Sequence, residues 1–331
     1  KNKKPNLNPL KKALKDINDV LKKNDLIIIE STVYPGATEE LTKKIISKKF
    51  ILNKDYHIGF CPERVNPGDK SKTIDKIKKI VAFEKCPKDI SKRIKKIYKT
   101  VSNKLVLSDC IEEAETSKVI ENIQRDINIA FMNEVMMICD RLNIDFHNVL
   151  NLAKTKWNFL NFQPGLVGGH CIGVDPYYLA QKAQEAGYHP EIILSGRRVN
   201  DDMGKYVASE LVKLMIGRGL PILKSKVLML GITFKENCPD IRNTRAIDVY
   251  NELRAFNLDV EVYDPWADDV EINREFGFCL VQELNKKYNA IILTVAHQEF
   301  LSMQMRPYLE KNGILYDVKG VLDFETIDAR L

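Results

Sequence analysis

Along most of the chain, short apolar runs closed off by polar residues alternate with segments whose apolar positions recur every three to four residues, a pattern of strands between amphipathic helices. Residues 10–23 carry the helical pattern. They lead into Asp25-Leu26-Ile27-Ile28-Ile29-Glu30-Ser31-Thr32-Val33, an apolar run too short for a helix and expected as a buried parallel strand. The pattern then predicts a helix over 38–47, strands over 57–60 and 79–83, a helix from Asp89 and a strand over 104–107. This alternation implies a doubly wound α/β sheet. From Cys110 to Asn143 the helical spacing persists for about nine turns, longer than most globular helices and suited to bridging domains; a second helical region starts at Asp145. Helical pattern resumes near Tyr177 and runs to Met215 with an interruption near Gly187. A strand over 226–231, a helix over 243–256 and strands over 259–263, 290–295 and 314–317 repeat the alternation. Two α/β domains around a helical centre are expected.

The 331 residues, 44% hydrophobic and 29% charged, supply cores for two or three domains and argue against disorder. No run approaches the ~20 apolar residues that a bilayer requires, and the basic N-terminal stretch lacks an apolar signal core, so a cytoplasmic protein without membrane association is expected. Seven cysteines with no C-x-x-C pair fit neither a disulfide framework nor a zinc knuckle. Five histidines without i, i+4 pairing do not build a metal site. Lysines are denser over 1–23 and 70–99, but the net charge of +6 is modest and neither an aromatic-interleaved patch nor a helix-turn-helix pattern accompanies it. Nucleic acid is not the expected partner. A small anionic substrate explains the balance equally well.

Candidate chemistry gathers in Gly168-Gly169-His170-Cys171-Ile172-Gly173-Val174-Asp175-Pro176-Tyr177-Tyr178, where a cysteine sits among glycines with a carboxylate four residues later. Glycines let backbone bend closely round a ligand, and a thiol placed there can attack a carbonyl carbon. His170 does not make a hydrolase pair with Cys171, because adjacent side chains diverge and no partner signature follows. Lys118 and Asn122 lie four apart on the long helix and share a face, where a cation and an amide donor suit an oxyanion; the same pair also fits a solvated lysine and a surface asparagine. Asp175 before Pro176 fits a helix N-cap as well as a catalytic carboxylate. A dinucleotide-binding domain normally opens with a strand and G-x-G-x-x-G, a motif this sequence does not contain. Lys1 to Leu7 reads as a loop entering an α/β domain already in progress, so a leading segment is expected to precede it.

Five segments occur in one order: Glu30-Ser31-Thr32-Val33-Tyr34-Pro35-Gly36-Ala37-Thr38, Cys61-Pro62-Glu63-Arg64-Val65-Asn66-Pro67-Gly68, Lys118 to Asn122, the Cys171 loop, and Gly231-Ile232-Thr233-Phe234-Lys235. Together they resemble the UDP-glucose/GDP-mannose dehydrogenase family from about Pro5 to the C-terminus. The wording around Cys171 and Pro62-Glu63-Arg64 is most similar to the bacterial UDP-N-acetylhexosamine (UDP-GlcNAc/UDP-GalNAc) 6-dehydrogenases of capsule, Vi-antigen and O-antigen synthesis. The resemblance implies an incomplete NAD-binding Rossmann domain over 1–109, a central helical dimerisation domain over 110–215 and a Rossmann-like UDP-binding domain over 216–331. It implies NAD as cofactor, a UDP-sugar as substrate and a homodimer or higher homo-oligomer. The implied reaction oxidises C6 of the sugar to a carboxylate in two hydride transfers, through a cysteine thiohemiacetal and thioester. UDP-N-acetylmannosamine and UDP-glucose are alternative substrates, and a UDP-sugar-binding fragment without oxidoreductase activity is the alternative from another class.

On the family's pattern Cys171 is the nucleophile, Lys118 and Asn122 stabilise the alkoxide and oxyanion, and Asp175 positions a water or proton relay. Glu63 stands at the sugar as a base for thioester hydrolysis, and Thr32 near the nicotinamide and the reactive oxygen. Lys118, Asn122, Glu63, Arg64, Phe162, Gly165, Gly168, Gly169, Arg198, Phe234 and Lys235 are the implied substrate contacts; Ser31, Thr32, Val33 and Arg242 are the implied cofactor contacts. Arg242 also fits a surface pair with Asp240. Arg197 and Arg198 are candidates for a pyrophosphate. Pro67 stands where some relatives carry a second glutamate, which leaves a shared-carboxylate role without support, and Lys319 stands where relatives often carry an arginine, which weakens a bidentate contact.

Overall fold

The computed structural model describes residues 6–65, 73–84, 87–102, 104–169 and 172–331. In chain order its elements are α1 (Asn8–Val20), β1 (Asp25–Ile29), α2 (Ala37–Ile45), β2 (Tyr56–Phe60), β3 (Lys79–Phe83), α3 (Lys88–Lys99), β4 (Leu105–Ser108), α4 (Ile111–Arg141), α5 (Phe146–Ala153), α6 (Asp175–Glu185) and α7 (Glu191–Gly217). They continue with β5 (Lys226–Leu230), α8 (Ala246–Ala255), β6 (Asp259–Tyr263), α9 (Asp269–Phe276), β7 (Tyr288–Leu293), α10 (Gln298–Leu301), β8 (Leu309–Asp317) and β9 (Ala329–Arg330). The chain forms two compact units, Lys1–Gln124 with Val174–Leu194, and Arg125–Gly173 with Ser195–Leu331, so the boundary falls inside α4.

The first unit is built on a sheet of order β1-β2-β3-β4. Strands β1 and β2 are parallel with Ile27 opposite Ile58, and β3 and β4 are parallel, as expected for alternating strands and helices. Strands β2 and β3 are antiparallel, so this sheet is mixed and not wholly parallel. A parallel pair would require a crossover of a dozen or more residues, usually a helix. The described residues between β2 and β3 form irregular chain with one turn. Ile27, Ile29, Ala37, Leu41, Ile58 and Phe60 form one core of this sheet with Leu14 of α1 and Ile111 and Ala114 of α4, while Cys61, Val81, Ile90, Ile94 and Tyr98 form a second. The first strand ends at Ile29 and not at Val33: Cys61 N–H to Ile29 O closes the ladder, and Glu30 to Pro35 leaves the sheet towards Gly36, whose φ of 87° starts α2.

The second unit carries a wholly parallel sheet of order β6-β5-β7-β8-β9. Its central strands β5 and β7 are buried on both faces, which explains their unbroken apolar character. Met203, Val207, Leu211 and Met215 recur every four residues on α7 and join Val227, Met229, Ala290 and Ile292 in one core. Each such buried aliphatic side chain contributes about 1.5–3 kcal/mol. Helix α8 begins at Ala246, three residues later than its pattern predicts: Thr244 N–H closes a turn on Ile241 O, and Asn243 O accepts Gly169 N–H. Helix α9 was not expected. It buries only Ile272 and is fixed by Asp268, whose carboxylate caps Glu271 N–H at 2.8 Å. Among the described residues no helix is long and apolar enough to cross a membrane.

At the carboxyl end of β5 the chain turns through Gly231, with φ of 93° and its α-carbon pressed on β7's outgoing loop; a Cβ there would stand 2.5 Å from Val295 Cβ and 2.9 Å from Val295 N. Both the left-handed conformation and the close approach exclude a side chain. Gly231→Ala is expected to destabilise the protein by about 3 kcal/mol, read as a shift of the urea midpoint at unchanged m-value.

Candidate active site

Helix α4 presents Glu115, Lys118 and Asn122 at i, i+3 and i+7, and all three are buried. Asn122 Nδ2 donates to Asp175 Oδ2 at 2.6 Å, tying α4 to the first turn of α6. Asp175 is buried as well, and desolvation pushes its carboxyl up to about 6 against the opposing hydrogen bond from Asn122 and the nearby charge of Lys118. The N-cap alternative for Asp175 is therefore corrected: Val174 holds the cap position, no side chain caps the helix, and the carboxylate is committed to Asn122. Cys171 and His170 lie outside the described residues. The expectation for Cys171 thus stays with the sequence, four residues before the buried carboxylate.

Glu115, which the sequence did not single out, organises the loop after β1. Its Oε2 accepts Gly36 N–H at 2.5 Å and its Oε1 accepts Thr38 N–H at 2.9 Å. Burial raises its carboxyl, opposed by those backbone bonds. The N-terminal amides of α2 are thus taken by a protein carboxylate. The loop that Glu115 secures holds an exposed Ser31, a half-buried Thr32 and a buried Val33 beyond the carboxyl end of β1.

The Pro62-Glu63-Arg64 turn follows β2. Burial would raise the Glu63 carboxyl, but Val65 N–H at 2.6 Å, Lys79 Nζ at 3.5 Å and Arg64 N–H at 2.7 Å hold it below the usual carboxylate range. Lys79 itself is buried, so its charge is directed at Glu63. Arg64 is bound on both sides: Nη2 and Nε reach Glu121 of α4 at 2.7 and 3.3 Å, and Nη1 donates to Lys78 O at 2.9 Å. The guanidinium therefore fastens the Glu63 turn to α4. Pro67 lies outside the described residues.

In the second unit, Asn133 of α4 clamps the backbone of Gly165, accepting Gly165 N–H at 2.8 Å and donating to its carbonyl at 3.1 Å. Phe162 is half-buried against the core. Gly168 and Gly169 admit the neighbouring chain, since a Cβ would meet Asn243 O at 2.5 Å and the Phe234 ring at 2.8 Å respectively. Lys235 Nζ lies 5.4 Å from the centroid of the Phe234 ring.

The remaining cations divide. Arg197 is buried and paired with Asp126 at 2.6 Å and with Asp201, which commits its guanidinium to ion pairs within the protein. Asn200 Nδ2 adds a bond to Asp126 Oδ1 at 2.7 Å. Arg198 is exposed. Arg242 forms the local alternative, with Nη2 at 2.7 Å and Nε at 3.0 Å from the Asp240 carboxylate. Lys319 pairs with Glu236 at 2.7 Å.

Three family models match the chain: the NAD binding domain of the UDP-glucose/GDP-mannose dehydrogenase family over 1–102, its central domain over 112–202, and its UDP binding domain over 228–324. The chain is 49% identical to a UDP-N-acetyl-D-glucosamine 6-dehydrogenase of Salmonella typhi over 99% of its own length and 79% of that protein's. It is 48% identical to the enzyme of the same name from Pseudomonas aeruginosa, with the same shares covered. Among solved structures it is similar to the UDP-N-acetyl-mannosamine dehydrogenase Cap5O from Staphylococcus aureus, with a TM-score of 0.83, 29% identity and 99% and 76% of the two chains covered. With these matches spanning both sheets and the helical region between them, the chain belongs to the UDP-glucose/GDP-mannose dehydrogenase family.

Proposed function

We propose that this protein is an NAD-dependent UDP-N-acetylhexosamine 6-dehydrogenase that oxidises C6 of UDP-N-acetylglucosamine, or its C4 epimer, to the uronate. The observation that carries the reading is the buried Lys118–Asn122–Asp175 group, in a chain 49% identical to a UDP-N-acetylglucosamine 6-dehydrogenase. Identity to the N-acetylmannosamine enzyme Cap5O is 29%, which favours the glucosamine configuration. A nucleotide-activated uronate is a glycosyl donor, as surface polysaccharide synthesis requires. The cytoplasm, where NAD and UDP-sugars are held, is its proposed location.

The described residues fit the nicotinamide end of the cofactor: Ser31, Thr32 and Val33 follow a strand's carboxyl end, with a hydroxyl half-buried at the turn. The 331 residues contain no glycine-rich pyrophosphate turn. NAD, when bound, accepts a hydride in each of the two oxidations. Cys171, as thiolate, adds to the aldehyde carbon, its Sγ–C bond forming as the carbonyl electrons move to oxygen. Lys118 and Asn122 donate to that oxyanion, and again to the tetrahedral oxyanion when water attacks the thioester. Asp175 or Glu63 takes the water's proton, and the Sγ–C bond breaks to release the carboxylate and regenerate the thiol. The UDP part is assigned to Phe234, Lys235, the Phe162–Gly169 segment and Arg198.

A homodimer or larger homo-oligomer belongs to the same reading. Phe131 and Ile138 of α4 and Leu142 just past its end are spaced by seven and four residues with 56%, 49% and 61% exposure, and Leu152, Trp157 and Leu160 are also exposed. Such a stripe calls for an apolar partner.

Assayed with UDP-N-acetylglucosamine, the protein is expected to form two NADH per sugar consumed, while Cys171→Ser releases no free uronate; one NADH per sugar, or uronate at the parental rate from the variant, overturns the thioester route. UDP-sugar binding without any NADH would leave a binding protein instead. Activity should fall as pH drops through about 6, where Asp175 takes up a proton. Asp175→Asn is expected to lower kcat about 100-fold and abolish that acidic limb in a pH–rate profile. Phe131→Asp should shift the species seen by light scattering to lower mass; an unchanged mass places the oligomer contact elsewhere.

A further inference from the structure

His297 is among the buried titratable groups that the mechanism does not use. His297 follows β7, is wholly buried, and has both ring nitrogens engaged by the loop after β5. Nδ1 accepts Asn237 N–H at 2.9 Å, so that nitrogen carries no proton. The proton is on Nε2, which faces Thr233 Oγ1 at 3.1 Å and Asp264 Oδ2 at 3.2 Å. Thr233 gives its own hydroxyl proton to Lys235 O at 3.1 Å, which leaves Oγ1 as an acceptor for Nε2–H. The ring is thus fixed in one tautomer by partners on both sides.

These bonds hold a single loop at both ends. Asp264 Oδ2 accepts Ile232 N–H at 2.7 Å and Thr233 N–H at 3.1 Å, and His297 holds Asn237. Asn237 adds a return bond, its Oδ1 accepting Gln298 N–H at 2.9 Å. With φ of 54°, Asn237 is in the left-handed region, a conformation the surrounding contacts must enforce. Between the two held ends are Phe234 and Lys235, and the Phe234 ring lies against Gly169, two residues before Cys171.

We propose that His297 is a positioning residue for the UDP-sugar site: through its Nδ1 acceptor it sets the Thr233–Asn237 loop, and with it the placement of Phe234 and Lys235. The inference rests on the reading of Phe234 and Lys235 as substrate contacts. What the loop requires is an acceptor at the Nδ1 position. An asparagine places Oδ1 there, whereas leucine fills the space without one, and glutamine places its polar end at the Nε2 position.

His297→Leu is expected to raise KM for the UDP-sugar about tenfold or more, with KM for NAD unchanged and kcat within about threefold, because Asn237 N–H loses its acceptor and the end of the loop is released. His297→Asn should recover most of that loss and His297→Gln should not. The Nδ1 of His297 should show the 15N shift of an unprotonated ring nitrogen at neutral pH. Equal impairment in the Asn, Gln and Leu variants overturns the proposal, as does a protonated Nδ1. If the leucine variant does not fold, the Asn–Gln comparison decides in the same way. Lys235→Ala separates the two levels. A raised KM in Lys235→Ala with an unchanged one in the His297 variants overturns the positioning role alone, while unchanged values in all of them overturn the substrate-loop reading as well.

Discussion

A carboxylate taken out of water costs several kcal/mol unless donors replace its hydration, and this chain meets that requirement at each loop assigned to its chemistry. Glu115 receives two amides of the loop after β1; Asp264 receives Ile232 and Thr233 N–H on one oxygen and Trp266 and Ala267 N–H on the other. Asp317, at the end of β8, receives the amides of Lys319, Gly320, Val321 and Leu322. In each case backbone that has left a strand would otherwise have unpaired N–H groups, and one side chain fixes several of them at once. Loops held this way keep their side chains in place before any ligand arrives, which is what electrostatic catalysis and tight substrate orientation require.

Asp175 is the exception to this arrangement. Burial acts on both Asp264 and Asp175, yet bonds from His297 and from backbone amides hold the Asp264 carboxyl below its ordinary range, whereas Asp175 has the single amide of Asn122 and the charge of Lys118 and is pushed up to about 6. The number of donors separates the two outcomes. Asp264 is thus a fixed anion that shapes a loop, whereas Asp175, with fewer donors beside a cation, can exchange a proton near neutral pH.

The strands and long helices were legible because burial imposes a period on them: β5 and β7 read as continuous apolar runs and α7 as a four-residue repeat. What escaped were features set by partners distant in sequence. Nothing local to β2 or β3 encodes their antiparallel pairing, and nothing in the dipeptide Arg197-Arg198 tells which arginine is buried against Asp126 and which is exposed. Glu115 and His297 were missed for the same reason, since their bonds cross 79 and 60 residues to backbone amides, which have no sequence signature. Asn122 and Asp175, by contrast, were legible through the motif wording, and the structure adds the hydrogen bond that joins them.

A partly titrating Asp175 suits the proposed chemistry in a way a permanent anion would not. The alcohol must lose a proton as the first hydride leaves, and the thiohemiacetal must do so before the second. The water that cleaves the thioester must also give up a proton. A base with a pKa far below neutrality accepts protons poorly in these steps, and one far above it does not release them between steps. At about 6, Asp175 is mostly ionised at neutral pH and still basic enough to accept a proton transiently. The lysine beside it then has an effect besides its proposed work at the oxyanion. By favouring the ionised form, Lys118 keeps a deeply buried carboxyl from rising to a value at which it would remain protonated and idle.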